Sequence, residues 1–260
     1  MSAFQTAFVT GASSGLGRAL ALRLAARGTR VVLAARREPE LERLRAEIAA
    51  AGGRADVQPL DVSDRAAVGE AVARWDRDTG GLDLVLANAG LGRACPAHKL
   101  EPDEALELLE VNVIGACATL LAAVGPMVAR GRGTLVGMSS LAGMRGLPAA
   151  GTYSASKAAL SAFLETLRID LARKGLSVVD IRPGFVKTAM TADNAFPMPF
   201  LMELDEAADR CLAGIDRGKA VVAFPWPMYA AMVLARGMPG ALWRWLASRQ
   251  SPGRRPARTS

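Results

Sequence analysis

The stretch TGASSGLG at residues 10–17 follows the apolar run AFVT (7–10) and opens a stretch with helical periodicity. A strand that runs through a glycine-rich turn into a helix is typical of the first unit of a doubly wound α/β sheet. Its glycines permit a tight turn and a close approach of backbone to a pyrophosphate, which a helix N-terminus attracts. An ordinary strand-to-helix turn is the alternative, but the position after the first strand favours a dinucleotide site. We expect the contacts to come from Gly11, Ser13, Ser14, Gly15, Leu16 and Gly17.

Apolar runs and helical stretches alternate along the chain beyond this turn. The apolar runs are rich in Val, Leu and Ala, as in parallel strands that are buried on both faces. They lie at 7–10, 31–35, 55–60, 82–87, 134–139 and 176–181, with a weaker seventh at 221–224. Helices are predicted at about 15–28, 38–51, 64–79, 101–129 and 152–174. This order predicts an α/β fold with one Rossmann-like, doubly wound parallel sheet of about seven strands.

The sequence predicts a single catalytic domain at residues 1–224, followed by an apolar and basic extension at 225–260. The final residues, SPGRRPARTS, are expected to be disordered. With 51% hydrophobic and 22% charged residues in a chain of 260, the composition is that of a globular protein. Three cysteines and one histidine are too few for a disulfide framework or a multi-histidine metal centre, and they disfavour a Ser-His-Asp triad. We therefore expect no metal site.

Charge and hydropathy give expectations about location and partners. The start of the chain has no secretory signal, and we expect no membrane-spanning run before the C-terminal part, so a cytoplasmic protein is predicted. The net charge of +7 is concentrated at the end, where six arginines and no acid follow from Arg236 onward. A basic tail suits an anionic membrane surface or nucleic acid. The nearly neutral remainder does not favour nucleic acid as a partner.

The end of the second strand predicts which dinucleotide is bound. A carboxylate there would hold the 2′-hydroxyl of NAD, but Ala35 is followed by Arg36 and Arg37. Arginine binds a 2′-phosphate through charge-assisted hydrogen bonds. We therefore expect NADP(H) to be preferred over NAD(H), with Arg36 as the main contact and Arg18 as a second. The alternative is that the paired arginines only cap the strand in solvent.

Two further strand ends carry predicted cofactor contacts. Asp61, followed by Val62, could accept a hydrogen bond from the adenine amino group. The fourth strand ends in Asn88, Ala89 and Gly90. Asn88 could equally brace neighbouring strands through its amide, and Gly90 would let the cofactor pass close to the backbone.

Tyr153 and Lys157 are the predicted acid–base pair. Residues four apart lie on one helix face, and an ammonium near a phenol favours the phenolate, so Tyr153 should exchange protons near neutral pH. Ser140 closes the preceding strand, where its hydroxyl could bond a substrate oxygen. Asn112 lies among apolar neighbours in the fourth helix. It either kinks the helix and holds a water that connects Lys157 to solvent, or is a satisfied helix amide.

Taken in order, these motifs resemble those of the single-domain short-chain dehydrogenases/reductases. The resemblance covers about residues 4–190, and the family's NNAG is ANAG here. It implies a catalytic tetrad of Asn112, Ser140, Tyr153 and Lys157. The matching segments are TGASSGLG (10–17), LDVSD (60–64), NAG (88–90), VNVIG (111–115), SS (139–140), YSASK (153–157) and PGFVKT (183–188).

The resemblance also implies how such a site works. Tyr153 and Lys157 would contact the cofactor, Lys157 through the nicotinamide ribose. A carbonyl and a secondary alcohol would be interconverted with NADP(H), while Tyr153 exchanges the proton. Homodimers or homotetramers would form through the fourth and fifth helices. The residues implied around the nicotinamide are Pro183, Gly184, Val186 and Thr188.

The segment 189–204 predicts an apolar lid over the substrate. Phe196 and neighbouring Met, Phe and Leu residues make it apolar, and two prolines limit its freedom. Together with Met144 and Leu147, which could line the same pocket, it favours a hydrophobic small-molecule substrate. Packing of this segment on the body or on a partner subunit is the alternative.

The extension at 225–260 combines three of the four tryptophans with arginines. This mixture suits a membrane surface, a subunit contact or the rim of the pocket. Two interpretations compete with an enzyme: a catalytically silent NADP-binding scaffold, and a membrane-surface interaction protein on the same fold. The complete set of four tetrad residues counts against the scaffold.

Overall fold

The computed structural model describes residues 4–192 and 197–249. Within them, seven parallel strands form one sheet in the order β3-β2-β1-β4-β5-β6-β7. The strand order reverses between β1 and β4, which confirms the predicted doubly wound, Rossmann-like sheet. The strands are β1 (Thr6–Thr10), β2 (Arg30–Ala35), β3 (Arg54–Pro59), β4 (Leu84–Ala87), β5 (Gly133–Met138), β6 (Leu176–Pro183) and β7 (Val221–Phe224).

Helices cover both faces of the sheet, with α1, α2 and α8 on one face and α3, α5 and α6 on the other. A π-helical turn (Glu110–Gly115) joins α4 to α5, and 3-10 turns occur at Ala97–Lys99 and Leu141–Gly143. The α-helices are α1 (Gly15–Ala26), α2 (Glu38–Ala50), α3 (Arg65–Asp78), α4 (Pro102–Leu109), α5 (Ala116–Arg130), α6 (Gly151–Leu171), α7 (Ala189–Ala192), α8 (Leu204–Asp216), α9 (Trp226–Gly237) and α10 (Gly240–Ser248).

The apolar core is divided into two layers by the sheet. Alternate residues of a strand point to opposite faces, so Ala7 and Val9 of β1 pack in the layer of α1, while Phe8 packs in the layer of α6. Because both faces are covered, β1 needs apolar residues at consecutive positions. The continuous Val, Leu and Ala runs in the sequence follow from this double burial.

The structure interrupts the helix that the sequence predicts at 101–129. α4 ends at Leu109, the π-helical turn contains Asn112, and α5 continues to Arg130. Short π-helical turns are frequent at functional sites because they displace side chains from regular helical positions. The irregularity therefore falls at the residue for which the sequence predicts either a kink or a satisfied amide.

The helical stretch Pro102–Arg130 is long and apolar enough to span a membrane by length and composition alone. This finding corrects the expectation from the sequence that no membrane-spanning run precedes the C-terminal part. Here the stretch packs on β4 and β5 and against α3 and α6. Leu120 and Met127 are fully buried in these contacts. We therefore interpret it as a core helix of this fold.

Among the described residues, the C-terminal third contains four helices that were not predicted from the sequence, namely α7, α8, α9 and α10. α8 completes the α1 layer through buried side chains such as Leu212. β7 ends at Phe224, beside the predicted start of the extension, but the division into a domain and an extension stays a prediction. The predicted disordered segment SPGRRPARTS and the lid residue Phe196 lie outside the described residues.

Gly11 and Gly17 determine how closely the first turn approaches β4. Gly11 has a φ of +67°, in the left-handed region that favours glycine. A Cβ at Gly17 would lie 2.3 Å from the Gly11 carbonyl oxygen and 2.4 Å from Nδ2 of Asn88. Only a residue without a side chain fits there, so the N-terminus of α1 lies directly against the end of β4.

Replacement of Gly17 by Ala should therefore destabilise the fold by about 1–3 kcal/mol, because the added methyl group overlaps neighbouring atoms. Gly69→Ala is the matched control, since Gly69 lies inside α3 and a Cβ there meets no atom within 4 Å. That control should gain about 0.5–1 kcal/mol. Urea unfolding measures both free energies, and a Gly17→Ala variant as stable as the parent protein would contradict the close packing.

Candidate active site

The N-terminus of α1 is open to a negatively charged group. Ser14 is the N-cap residue, but its side chain makes no capping hydrogen bond, and the first helical turn contains no acid. Gly11 and Gly15 both have left-handed backbone conformations, which turn the chain sharply into the helix. The free N–H groups of the first turn and the helix dipole suit phosphate groups. The same turn contains the other predicted contacts, Ser13, Leu16 and Gly17.

Arg36, Arg37 and Asp61 lie beside this turn. Arg37 donates to Ser13 Oγ at 3.0 Å, and Arg36 Nη1 lies 3.9 Å from Asp61 Oδ2. Burial opposes ionisation of Asp61, but hydrogen bonds from Ser63 and the charge of Arg36 hold the pKa of the carboxyl below its usual value. Two cations and one carboxylate therefore meet at the carboxyl end of β2.

Arg18 and Val62, two further predicted cofactor contacts, are engaged with other parts of the protein. Arg18, predicted as a second contact to a 2′-phosphate, pairs with Glu47 of α2. Val62 is buried against the π-helical turn, where its carbonyl oxygen lies 2.6 Å from the place of a Cβ on Gly115. Gly115 therefore permits the loop after β3 to pack tightly on that turn.

Asn88 joins the first turn to β4. Its Nδ2 donates to the carbonyl oxygens of Thr10 at 3.0 Å and Gly11 at 3.3 Å. Thr10 Oγ1 accepts the backbone N–H groups of Asn88 at 3.0 Å and Ala89 at 3.1 Å. Asn88 thus makes the bracing contacts that the sequence analysis considered. Thr10 was not predicted to take part, although it is the first residue of the TGASSGLG motif.

Gly90 connects the cofactor motifs to the predicted acid–base pair. A Cβ at Gly90 would lie 3.1 Å from Asn112 Oδ1 and 3.4 Å from Lys157 Nζ. The backbone after β4 therefore approaches both side chains with no side chain of its own in between. This contact brings together segments that the sequence could only assign to two separate motifs.

Tyr153, Ser140 and Lys157 form one cluster. Lys157 Nζ lies 5.7 Å from the centre of the Tyr153 ring, on the same face of α6. The Tyr153 hydroxyl is hydrogen-bonded to Ser140, the residue that follows β5 by two positions. Ser140 Oγ also accepts the N–H of Ala142 at 3.1 Å and lies 3.2 Å from the carbonyl oxygen of Pro183. Three predicted tetrad residues are therefore adjacent.

The prediction that the pKa of Tyr153 is lowered toward neutral is wrong for this structure. Burial raises the pKa of Tyr153, and the hydrogen bond with Ser140 offsets only part of that effect. Lys157 is 4% exposed, and burial lowers the pKa of its amine to about 8, while the charge of Asp180 acts in the opposite direction. The amine donates to the Met138 carbonyl at 2.8 Å. Desolvation, which spacing along a helix does not reveal, dominates both pKa values.

Asn112 is a satisfied amide that links three segments. Its Oδ1 accepts the N–H of Leu91 at 2.7 Å, and its Nδ2 donates to the Leu91 carbonyl at 2.9 Å. Nδ2 also lies 3.1 Å from Ser156 Oγ, which donates to the Tyr153 carbonyl at 2.8 Å. The π-helical turn is thus tied to the loop after β4 and to α6. Ser156 was missed, although it precedes Lys157 in YSASK.

Asp180 is a second missed residue of the site. It is 1% exposed and accepts hydrogen bonds from Ser139 Oγ and, at 2.7 Å, from Arg182 Nε. Its negative charge acts on the buried amine of Lys157. The signal for it in the sequence is an acid within the otherwise apolar run LSVVDI (176–181).

The loop after β6 lies between the turn after β1 and the Tyr153 cluster. β6 ends at Pro183, and Gly184, Val186 and Thr188 follow, with Val186 buried. Thr188 Cγ2 lies 3.5 Å from the place of a Cβ on Gly15. The surface along the carboxyl ends of the strands therefore has the uncapped N-terminus of α1 at one end. At its other end, the Gly90 backbone faces Lys157. These residues fit a dinucleotide with its phosphates on α1 and its nicotinamide end beside the Tyr153 cluster.

The predicted substrate residues Met144 and Leu147 lie in the segment between β5 and α6. Both are half-buried. Gly143 holds this segment against α6, because a Cβ there would lie only 2.6 Å from the backbone carbonyl carbon of Lys157. Met144 and Leu147 therefore belong to the segment that follows Ser140 in sequence and packs on α6.

One residue of the predicted lid can be placed near the site. Met190 packs on Gly92, where its sulfur lies 2.7 Å from the place of a Cβ. Gly92 follows Leu91, which is bonded to Asn112. The segment after Thr188 thus reaches the loop that adjoins the predicted tetrad. A lid function for it stays a prediction.

The cluster offers a phenol, a hydroxyl and an amine at the carboxyl ends of β5 and β6. Such groups can exchange a proton with a bound oxygen and hold that oxygen in place. Across residues 4–192 and 197–249, no group of three or more His, Cys, Asp or Glu could hold a metal ion.

Comparisons with known proteins agree with this architecture. The family model described as short chain dehydrogenase matches residues 5–196. An uncharacterized oxidoreductase of Myxococcus xanthus strain DK1622 is 50% identical over 246 residues, which cover 95% of this chain and 97% of the relative.

Two solved structures are similar over most of their length. A short-chain dehydrogenase from Sphingobium yanoikuyae in complex with NADPH is 25% identical with a TM-score of 0.80, covering 98% of this chain and 99% of that chain. An alcohol dehydrogenase from the archaeon Thermococcus sibiricus, complexed with 5-hydroxy-NADP, is 31% identical with a TM-score of 0.75, covering 85% and 94%. The chain therefore belongs to the short-chain dehydrogenase/reductase family of oxidoreductases.

Proposed function

We propose that this protein interconverts a carbonyl and a secondary alcohol with NADP(H), using Tyr153 as the general acid and base. The observation that carries this proposal is the single cluster in which the Tyr153 hydroxyl contacts Ser140 and the Lys157 amine lies over the Tyr153 ring. Membership of an oxidoreductase family supports the reaction class. The four tetrad residues are all present, which counts against a silent scaffold.

NADP(H) is the proposed cofactor, as in the two similar structures solved with NADPH and 5-hydroxy-NADP. The turn after β1 and the N-terminus of α1 would hold the phosphates. Arg36 and Arg37 would bind a 2′-phosphate, and Asp61 lies close enough to Arg36 to orient it. When bound, the cofactor supplies the hydride that a carbonyl carbon accepts.

In the reducing direction, Tyr153 donates its proton to the substrate oxygen as that oxygen gains the electron pair of the carbonyl double bond. Burial raises the pKa of Tyr153, which keeps the phenol protonated, as a general acid requires. The single O–H of Ser140, which donates to the Pro183 carbonyl in the structure, would turn to the same oxygen and fix its position. In the oxidising direction, the phenolate of Tyr153 accepts the alcohol proton, and the Lys157 ammonium, 5.7 Å from the ring centre, favours that phenolate without offsetting the effect of burial on the Tyr153 pKa. Asn112 holds α6 in register through Ser156.

A hydrophobic substrate is supported by the side chains that border the cluster. Met144 and Leu147 lie on the segment that follows Ser140, and Met190 packs on Gly92, next to Leu91, which is bonded to Asn112. An apolar wall with a few convergent polar groups is typical of a small-molecule pocket.

A homodimer or homotetramer through α4, α5 and α6 is proposed on the basis of an exposed apolar surface. Leu106, Leu121 and Ile169 are large hydrophobic residues that remain exposed on these helices in the single chain. A subunit contact on these helices would cover such side chains.

Replacement of Tyr153 by Phe tests the acid–base assignment. Ketone reduction by the variant should fall by about 10²-fold or more, because the ring stays in place while the transferable proton is lost. Tyr229→Phe, at the only other tyrosine of the chain, is the matched control and should stay within about twofold of the parent. Turnover is measured with NADPH and the best substrate from a panel of hydrophobic ketones. Near-parental turnover by Tyr153→Phe would remove Tyr153 from this role.

Replacement of Asp180 by Asn tests the electrostatic support of Lys157. The Asp180 carboxylate raises the pKa of the buried Lys157 amine. Loss of the carboxylate charge should lower that pKa, so Lys157 should lose its proton at a lower pH. The alkaline limb of alcohol oxidation, where the ammonium is lost, should therefore move to lower pH. Asp170→Asn, at an exposed acid on α6, should not move it. An unchanged alkaline limb in Asp180→Asn would contradict the assignment.

Replacement of Arg36 by Ala tests the choice of cofactor. Loss of charge-assisted hydrogen bonds worth about 1.5–3 kcal/mol should raise the KM for NADPH by about tenfold or more and leave the KM for NADH nearly unchanged. Arg43→Ala, on the exposed side of α2, should change neither value. Equal effects of Arg36→Ala on the two cofactors would exclude a specific 2′-phosphate contact.

A further inference from the structure

The two C-terminal helices expose large apolar side chains, which we call the C-terminal surface. It comprises Trp226, Val233 and Leu234 of α9 together with Leu242 and Trp245 of α10. Trp226 is 72% exposed and Leu234 74% exposed. Spacings of seven and eight residues place the three α9 side chains on one side of that helix, and a spacing of three places the two α10 side chains on one side of theirs. Each helix thus presents an apolar stripe to solvent.

The charge of this part of the chain has one sign. After Asp216 the sequence contains no Asp or Glu, whereas the remainder of the chain is close to neutral. At the C-terminal end of α10, the Arg249 guanidinium lies 3.7 Å from the centre of the Trp245 ring. The eight cations after Asp216 are Arg217, Lys219, Arg236, Arg244, Arg249, Arg254, Arg255 and Arg258.

The C-terminal helices are fixed to the segment that follows Ser140. Arg145 donates to the carbonyl oxygens of Arg236 at 3.0 Å and Met238 at 3.1 Å. Its guanidinium lies 5.7 Å from the Trp243 ring centre, and Trp243 Nε1 donates back to the Gly146 carbonyl at 3.0 Å. Because this segment begins at Ser140, a partner that binds α9 and α10 would lie on the side of the protein that contains the Tyr153 cluster.

The same helices also meet the loop after β6. The sulfur of Met228 lies 2.8 Å from the place of a Cβ on Gly184, so α9 packs directly on that glycine. The C-terminal helices thus contact both segments that flank the Tyr153 cluster, and their attachment does not depend on the exposed stripes. Those stripes remain available to a partner.

The positive charge near the C-terminal surface discriminates among its possible partners. A second copy in a twofold contact would bring two cationic surfaces together, and the segment has no acid to pair with them. Nucleic acid would satisfy the arginines but offers little to exposed Leu and Val side chains. An anionic bilayer satisfies both, since Leu and Val enter the acyl boundary, Trp lies at headgroup depth and Arg reaches the lipid phosphates.

We propose that the C-terminal surface binds the surface of an anionic lipid bilayer and holds the carboxyl-end side of the sheet, with the Tyr153 cluster, close to that membrane. This docking does not depend on the reaction proposed above. A carbonyl or alcohol substrate dissolved in the bilayer would then reach Met144 and Leu147 from the membrane side, a consequence that does rest on the proposed function.

Vesicle co-sedimentation of the full chain tests the docking. With vesicles of phosphatidylcholine and phosphatidylglycerol in equal parts, most of the protein should sediment at low salt and be released at high salt. With phosphatidylcholine alone it should remain in the supernatant. Equal recovery with and without anionic vesicles would overturn the proposal, and so would equal binding to both kinds of vesicle.

Two pairs of substitutions separate the contributions of charge and apolar contact. Arg244→Gln with Arg249→Gln should weaken the partition coefficient by about tenfold or more. Arg43→Gln with Arg45→Gln removes the same charge from the exposed side of α2 and should leave it unchanged. Trp226→Ser with Leu234→Ser should also weaken binding by about tenfold or more. Equal weakening by both arginine pairs would contradict a localised surface.

The other occupants give distinct results. Concentration-dependent self-association that is lost in Trp226→Ser with Leu234→Ser, without vesicle binding, would assign the surface to a second copy. Binding of duplex DNA that is lost in Arg244→Gln with Arg249→Gln, again without vesicle binding, would assign it to nucleic acid. Either result would overturn the proposal. Unchanged thermal unfolding midpoints confirm that the variants are folded.

Discussion

The site depends on the burial of one ionisable group, the amine of Lys157. Lys157 is 4% exposed, and its ammonium form is supported by the Met138 carbonyl and by the charge of Asp180. An ionised group without such partners would be strongly disfavoured at this burial. Gly90 lets the backbone of the loop after β4 approach the Lys157 amine, and Gly143 lets the segment after β5 approach the Lys157 backbone. The backbone at Gly90 and Met138 therefore lies directly beside the amine.

The supports of Lys157 are themselves connected. Asp180 accepts from Ser139, which is adjacent to Ser140 in sequence, and Arg182 neutralises the other carboxylate oxygen. The parallel register pairs Gly137 of β5 with Asp180 of β6, so this network lies at the carboxyl end of β5. A change in the charge of Asp180 would consequently act on both the amine and the position of Ser140.

The sequence was sufficient for the sheet, the first turn and the position of Tyr153, because each follows from local spacing or from burial on two faces. It did not predict Asp180 as part of the site, since only the register of β5 and β6 brings it near Lys157. It also gave the wrong direction for the pKa of Tyr153, because proximity can be inferred from a helical repeat but desolvation cannot. The docking of Trp243 on Gly146 joins residues far apart in sequence and has no local signal.

The pKa of Lys157 is the most direct test of this account. Carbon-13 labelling of the lysine side chains, with the Lys157 resonance assigned by its absence in Lys157→Met, allows an NMR titration of the amine in the intact protein. The account predicts a midpoint at about pH 8 and a lower midpoint in Asp180→Asn. A midpoint near that of a free lysine side chain, about 10.4, would show that the amine is solvated and would contradict the account.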